Sequence, residues 1–153
     1  MPAGDVLTFS AGSLEIGRQL LDRFLAVSPD FVAALVSTVD GRLMFERSRR
    51  EIGGSRIASM ASSLIALGEA LGGELSMKPC THVTASFDAG VIVLLRIDCP
   101  ESVLALTTVA RQSVNLGALL ASSRRTAKEL SALSPELTTD LSESTDLSES
   151  ADI

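Results

Sequence analysis

The chain has no tryptophan and no tyrosine, and in 153 residues it holds one histidine, two cysteines and five phenylalanines. With few aromatics to stack on bases and no basic face to release counterions, nucleic acid is excluded as a main partner. Long apolar runs are missing too: the longest charge-free stretches, 57–68 and 112–123, have 12 residues each. A membrane-spanning helix needs roughly 18 or more consecutive apolar residues. The first five residues, Met-Pro-Ala-Gly-Asp, carry no basic region ahead of an apolar run and so do not read as a secretion signal. The cytoplasm is the expected compartment, where Cys80 and Cys99 stay reduced rather than forming a disulfide framework.

What charge there is divides unevenly. The net charge is −6, yet the acids at 136, 140, 143, 146, 149 and 152 stand in a stretch with no base after residue 130. Residues 1–130 are therefore neutral, and the remainder carries the whole imbalance. The hexapeptide Thr-Asp-Leu-Ser-Glu-Ser fills 139–144 and repeats at once over 145–150. Such a segment has too little apolar material to order itself. The expected organisation is an N-terminal extension over 1–12, one domain over 13–133 and a disordered acidic tail over 134–153. The tail reads as a solubilising extension, with its Ser and Thr residues as an alternative kinase substrate.

Hydrophobic periodicity orders the domain. Ser13 can cap a helix to about residue 27, with Leu14, Leu21, Phe24 and Leu25 at helical spacing, as are Ile16 and Leu20. Two β-rich runs, 31–39 and 42–45, flank Asp40-Gly41, a strong hairpin signal because Gly accepts positive φ. Ser55 can cap a helix to about Leu75, whose apparent core face is Ile57, Leu64 and Leu71 with Met60, Ala61, Leu67 and Gly68 between them. A second stripe, Ala58, Ser62, Ile65, Glu69 and Gly72, is mostly small and would admit another helix closely. Strands are expected over 81–87, 91–97 and 102–109. Val91 to Leu95 is apolar at every position, as in a strand covered on both faces. Ser113 can cap a last helix from Val114 to about Leu133, with Leu116, Leu119, Leu120 and Leu130 on its apolar side.

Chemical motifs are sparse. No phosphate-wrapping loop of a nucleotide hydrolase is present. Gly53-Gly54-Ser55-Arg56 could hold an anion at a helix start, although a plain flexible entry with a Ser cap explains it as well. Cys80 and His82 would point the same way on a strand, but no third orienting group or nucleophile elbow accompanies them, so a redox or nucleophilic enzyme is not the reading. Cys-x-His gives two metal ligands where a structural site needs about four. If 88–90 closes a hairpin, Cys99 returns roughly opposite Cys80. No catalytic, cofactor or metal residues are assigned. Arg42, Arg47, Arg49, Arg50 and Arg56 form a local basic excess, read as a solvated loop or as a contact for an acidic surface of a partner or of the chain's own tail.

The order helix, two strands, helix, three strands, helix resembles the roadblock/dynein light chain domain family over about 29–132. Residues 34–43 (Ala-Leu-Val-Ser-Thr-Val-Asp-Gly-Arg-Leu), 57–64 (Ile-Ala-Ser-Met-Ala-Ser-Ser-Leu) and Asn115-Leu-Gly117 carry the resemblance by falling in order at the right distances. It implies a longin- and profilin-like α/β (α+β) fold: a five-stranded antiparallel sheet in the order 2-1-5-4-3, the central helix on one face and two helices on the other. It also implies a homodimer formed through the central helices and the edge strand, and, as bacterial members often do, an association with a small Ras-like GTPase as its regulator or scaffold. On that reading Ala58, Ser62, Ile65, Glu69 and Gly72, with Val83, Thr84 and Ala85 on an edge strand free of Lys and Pro, face the symmetry mate. Arg56, Ser59, Ser63, Ala66 and Ala70 then face the partner. The function expected is a non-enzymatic interaction protein without cofactors; the alternative is a profilin-like small-ligand sensing module, with a cavity unless Leu20, Leu21, Phe24, Leu116 and Leu120 fill it.

Overall fold

The computed structural model describes residues 5–100, 102–133 and 136–139. Its elements run β1 (Asp5–Thr8), α1 (Ala11–Val27), β2 (Phe31–Thr38), β3 (Leu43–Ser48), α2 (Gly54–Glu74), β4 (His82–Phe87), β5 (Gly90–Cys99), β6 (Ser102–Arg111), α3 (Leu116–Leu130) and β7 (Glu136–Thr139). β2 to β6 form one antiparallel sheet in the order β3-β2-β6-β5-β4. Numbered from Phe31, this is the expected order 2-1-5-4-3.

Each strand's character follows from its place. β2 lies between β3 and β6, and all eight of its residues are buried, which explains an unbroken apolar and small-residue run. Its hairpin closes where Gly41 takes φ +98°, and Thr38 Oγ1 accepts the Arg42 N–H at 2.9 Å. β5 is interior as expected, with Val93 opposite Thr108 on one side and Thr84 on the other.

The two faces of the sheet are covered differently. α1 and α3 share one face, where Leu21, Phe24, Leu119 and Leu130 pack with Val36, Val93, Leu95, Ile97, Leu104 and Leu106. Phe24 and Phe31 stack at 4.7 Å. Leu21 and Phe24 are buried there and Leu20 and Leu120 pack beside them, filling the space a small-ligand cavity would need; Leu116, by contrast, is exposed. A hydroxyl pair, Thr108 Oγ1 and Ser123 Oγ at 2.9 Å, is buried between sheet and α3. α2 lies alone on the other face, against Leu94 and Ala105 and, near its start, against Val32, Ala33 and Leu35.

Several boundaries differ from the sequence expectations. α1 begins earlier: Ser10, not Ser13, is the cap, and its Oγ accepts the Ser13 N–H at 3.1 Å. Ile16 is exposed rather than part of the apolar side. α3 is capped by Asn115, whose Oδ1 accepts the Ala118 N–H at 2.9 Å, rather than by Ser113, which donates to Asp30 at 3.0 Å. α2 starts after Gly53 with no side-chain cap, so Ser55 lies inside the helix.

The segments expected to be extension and tail contribute a second, two-stranded sheet: β1 pairs antiparallel with β7, Asp5 opposite Thr139 and Thr8 opposite Glu136. Backbone pairing satisfies N–H and C=O groups whatever the side chains, so a polar composition does not forbid it. Residues 134, 135 and 140–153, and with them nearly all of the repeat, lie outside the described residues.

Candidate functional site

α2 is 21 residues long and meets the sheet along one side, so its opposite side needs another explanation. Ala58, Ala61 and Ile65 are buried against the sheet. Their small size lets the helix axis approach closely, and the longer side chains are turned outward. Met60, Leu64, Leu67 and Leu71 consequently form an exposed stripe at i, i+4, i+7 and i+11, with Leu67 65% and Leu71 63% exposed. The sequence expectation is thus reversed for Met60, Leu64, Leu67 and Leu71, expected in the core, and for Ala58 and Ile65, expected at a partner, while Ile57 and Ala61 lie on the sheet side as expected. A contiguous row of large exposed apolar side chains is uncommon on a monomer and marks an interaction surface.

The residues expected at the dimer interface divide accordingly. Ala58 and Ile65 are interior to this chain. Ser62 Oγ donates to the Val39 carbonyl at 2.6 Å, and Glu69 Oε1 accepts from Arg96 Nη1 at 2.9 Å. Both side chains are therefore engaged within the chain, Ser62 with the turn after β2 and Glu69 with β5. Gly72 sits so near the Lys78 carbonyl that a Cβ there would stand 2.8 Å from its oxygen. Val83, Thr84 and Ala85 lie on β4, which has β5 on one side and an open edge on the other among the described residues. Val83 packs beneath α2 with Ala61, Ile65 and Leu94, so the open edge and the apolar stripe are neighbours on one side of the molecule.

Arg56, Ser59, Ser63, Ala66 and Ala70 are all exposed and form a second outward strip, beside the apolar one. The hydroxyls of Ser59 and Ser63 donate back to the carbonyls of Ser55 and Ser59, at 3.2 and 3.3 Å, leaving a smooth, small-residue surface.

No protein-family model and no curated protein matches the chain. Solved structures do: MglB in a tetrameric arrangement (TM-score 0.74, 16% identity, 82% of this chain and 92% of that one); the gliding protein MglB from Thermus thermophilus (0.73, 14%, 82% and 93%); and a roadblock/LC7 domain from Streptomyces avermitilis (0.66, 16%, 73% and 92%). The chain has the roadblock/LC7 fold. In these terms α2 is the central helix of the roadblock/LC7 fold and β4 its outer strand.

The roadblock/LC7 framework leaves the remaining chemical candidates apart from one another. The Cys80 thiol donates to the His82 carbonyl at 3.3 Å, while His82 Nδ1 lies 3.3 Å from Thr81 Oγ1, so thiol and imidazole do not form a pair. Cys80 approaches Gly68 on the α2 face, whereas Cys99 packs with the core beneath α1 and α3; both are free. The sheet separates them, which removes the expected juxtaposition. Burial, with the Asp98 carboxylate adding to it, pushes the Cys99 thiol above its ordinary pKa of 9.0. Among the described residues no three His, Cys, Asp or Glu side chains gather as a metal site, and no helix is long and apolar enough to cross a membrane.

At the start of α2, where an anion would sit, the chain places its own carboxylate. A Cβ at Gly54 would overlap the Glu46 carboxylate, so Glu46 lies against the first helical turn. Gly54 thus makes room for Glu46, not for a ligand. Of the arginine cluster, Arg47 Nε pairs with Asp22 at 3.0 Å and Arg42 donates to the Leu7 carbonyl. Arg49 Nε donates to the Phe31 carbonyl at 2.7 Å, and its Nη2 to Leu25 and Ser28 at the end of α1. Most of the cluster is structural, which its spacing in sequence does not reveal.

Proposed function

We propose that this protein is a non-enzymatic, homodimeric interaction protein of the cytoplasm that binds a small Ras-like GTPase and regulates or scaffolds it. The observation that carries the reading is the outward stripe Met60, Leu64, Leu67 and Leu71 beside the open edge of β4. An isologous pairing of two such surfaces would remove both the apolar stripe and the open edge from solvent at once. The GTPase reading rests on the resemblance in sequence order and is supported by the likeness to the MglB structures. The adjoining strip of Arg56, Ser59, Ser63, Ala66 and Ala70 is the platform assigned to the GTPase. With no catalytic side chain assigned, the effect on the partner comes from favouring one of its conformations.

Two measurements test this reading. Light scattering coupled to size exclusion gives a mass near twice that of the chain; a monomer at high concentration overturns it. Capture of small GTPases loaded with GDP or with a GTP analogue, compared between wild type and Ser63→Arg, gives a loss of about tenfold or more for the variant if the strip is the platform. Equal capture removes the strip from the interface.

A further inference from the structure

α2 does not cover the whole of its face of the sheet. Where β2 and β5 begin and β6 ends, a groove of about 320 Å³ lies open. Val32, Ile92 and Val109, which belong to the α2 face, line it together with Phe87 and Ala89 from the end of β4 and the turn that follows. Phe87 is 59% exposed. The groove is on the opposite side of the sheet from the space, filled by Leu21 and Phe24, that the ligand-sensing alternative required. Arg49, Arg50 and Arg111 complete its lining. The Arg49 guanidinium is committed to the carbonyls of Phe31 and Leu25. Arg50 and Arg111 are exposed, and neither guanidinium has a hydrogen bond or ion pair among the described residues.

What such a groove can hold follows from what it offers. β2, β5 and β6 each have a neighbouring strand on both sides, so the backbone groups of the floor are bonded within the sheet. Even at the start of β2, the Val32 carbonyl accepts the Arg49 N–H at 2.9 Å. The side chains of Val32, Ile92, Val109 and Phe87 add no polar atom. A peptide, sugar or nucleoside laid on this floor would bury amides or hydroxyls without partners. The part of a ligand that lies in the groove must therefore be hydrocarbon. Guanidinium groups donate and never accept, and their charge calls for an anion, so the polar end must be an acid. The volume is at the small end of ligand clefts, roughly 300–1,000 Å³, which suits a short chain and not a long acyl tail.

We propose that this groove is a binding site for a medium-chain aliphatic carboxylate, its hydrocarbon against Val32, Ile92, Val109 and Phe87 and its carboxylate on Arg50 and Arg111. The site uses neither the stripe of α2 nor the strip assigned to the GTPase, and it stands whether or not those readings do.

Titration of the isotope-labelled full chain with octanoate, kept below its micelle concentration and followed by amide NMR, tests the proposal. Saturable shifts are expected at Gly90, Ile92, Val109 and Arg111. Octanoate binds about tenfold more tightly than acetate, which lacks the chain, and than octanol, which lacks the charge. Arg50→Gln with Arg111→Gln lowers octanoate affinity about tenfold, to the level of octanol, with circular dichroism unchanged. Equal affinity for octanoate and octanol, or no change in the double variant, overturns the proposal. Shifts centred on Leu67 and Leu71 in place of the groove do the same, because they show a hydrocarbon chain on the α2 stripe. The free peptide Thr-Asp-Leu-Ser-Glu-Ser is added as a competitor and leaves octanoate bound; displacement at equal concentration overturns the proposal in favour of a peptide groove.

Discussion

Arg96 Nη1 lies 2.9 Å from Glu69 Oε1 and joins the middle of α2 to β5, with the backbone N–H of Cys80 also donating to Glu69, at 3.4 Å. The two side chains are 36% and 31% exposed, so solvent screens the pair and its worth is below about 1 kcal/mol. Glu69→Gln is expected to lower stability by about 0.5 kcal/mol in urea unfolding, the difference closing in high salt. Because Glu69 faces its own sheet, the variant keeps the wild-type mass in solution.

The two sides of α2 give opposite outcomes for the same substitution. Leu67→Arg places a charge where the side chain is 65% exposed in the single chain, so the fold is retained while the proposed dimer dissociates, and the melting temperature falls only by what dimerisation contributes. Ile65→Arg buries an unpaired charge between α2 and Leu94 and costs about 3 kcal/mol or more, seen as loss of cooperative unfolding at moderate urea. Were Leu67→Arg to unfold the chain and Ile65→Arg only to separate dimers, the faces would be assigned the wrong way round.

Gly54→Ala forces the Glu46 carboxylate away from the first turn of α2. One buried oxygen of that carboxylate, Oε2, has no hydrogen-bond partner among the described residues, so nothing fixes the end of this flexible side chain where it is. The carboxylate swings away at small cost, offset by the helix preference of Ala over Gly, and stability is expected to change by less than about 1 kcal/mol in urea unfolding. A double-mutant cycle of Gly54→Ala with Glu46→Ala then gives a coupling below about 1 kcal/mol; a larger one would show the carboxylate to be held in place.

Cys99 reports on pH. Its thiol holds its proton more tightly in the folded chain than in the unfolded one, because burial disfavours the thiolate. As pH rises past 9.0, the unfolded chain loses this proton first, so the contribution of Cys99 to stability is present below that pH and lost above it. Iodoacetamide at pH 8 therefore alkylates Cys99 more slowly in the native protein than in urea, and Cys99→Ser flattens the fall of stability above pH 9.

The sheet order and helix count were legible because each element's signal is local. Asp40-Gly41 marks a turn by its own backbone preference, and Val91 to Leu95, short, β-branched and preceded by a turn, has the character of a doubly covered strand. The faces of α2 were not legible. Periodicity finds two stripes in that helix, but which one meets the sheet depends on how close the sheet surface, with Ala33, Ala105 and Leu94, lets the helix come. Large residues are the usual core, and here the close approach reverses the choice. Ser10 and Ser13 are equally good caps in isolation, and α1 selects the earlier one. The structural duties of Arg42, Arg47 and Arg49 are invisible in sequence because their acceptors, Leu7, Asp22, Leu25, Ser28 and Phe31, lie in other elements. Arg111 is likewise far from Arg50 in sequence, and only the sheet brings both to one groove.

Pairing of β1 with β7 makes the described chain a closed circuit. Asp5 and Thr139 face each other across a ladder, where Cα atoms are about 4.5–5.5 Å apart. A short linker could join Thr139 to Asp5, and new ends opened in the Asp88-Ala89 turn would leave every strand neighbour in place. The order of elements along the backbone is thus one of several that would trace the same shape, and what the architecture requires is the circuit rather than the point at which it is cut.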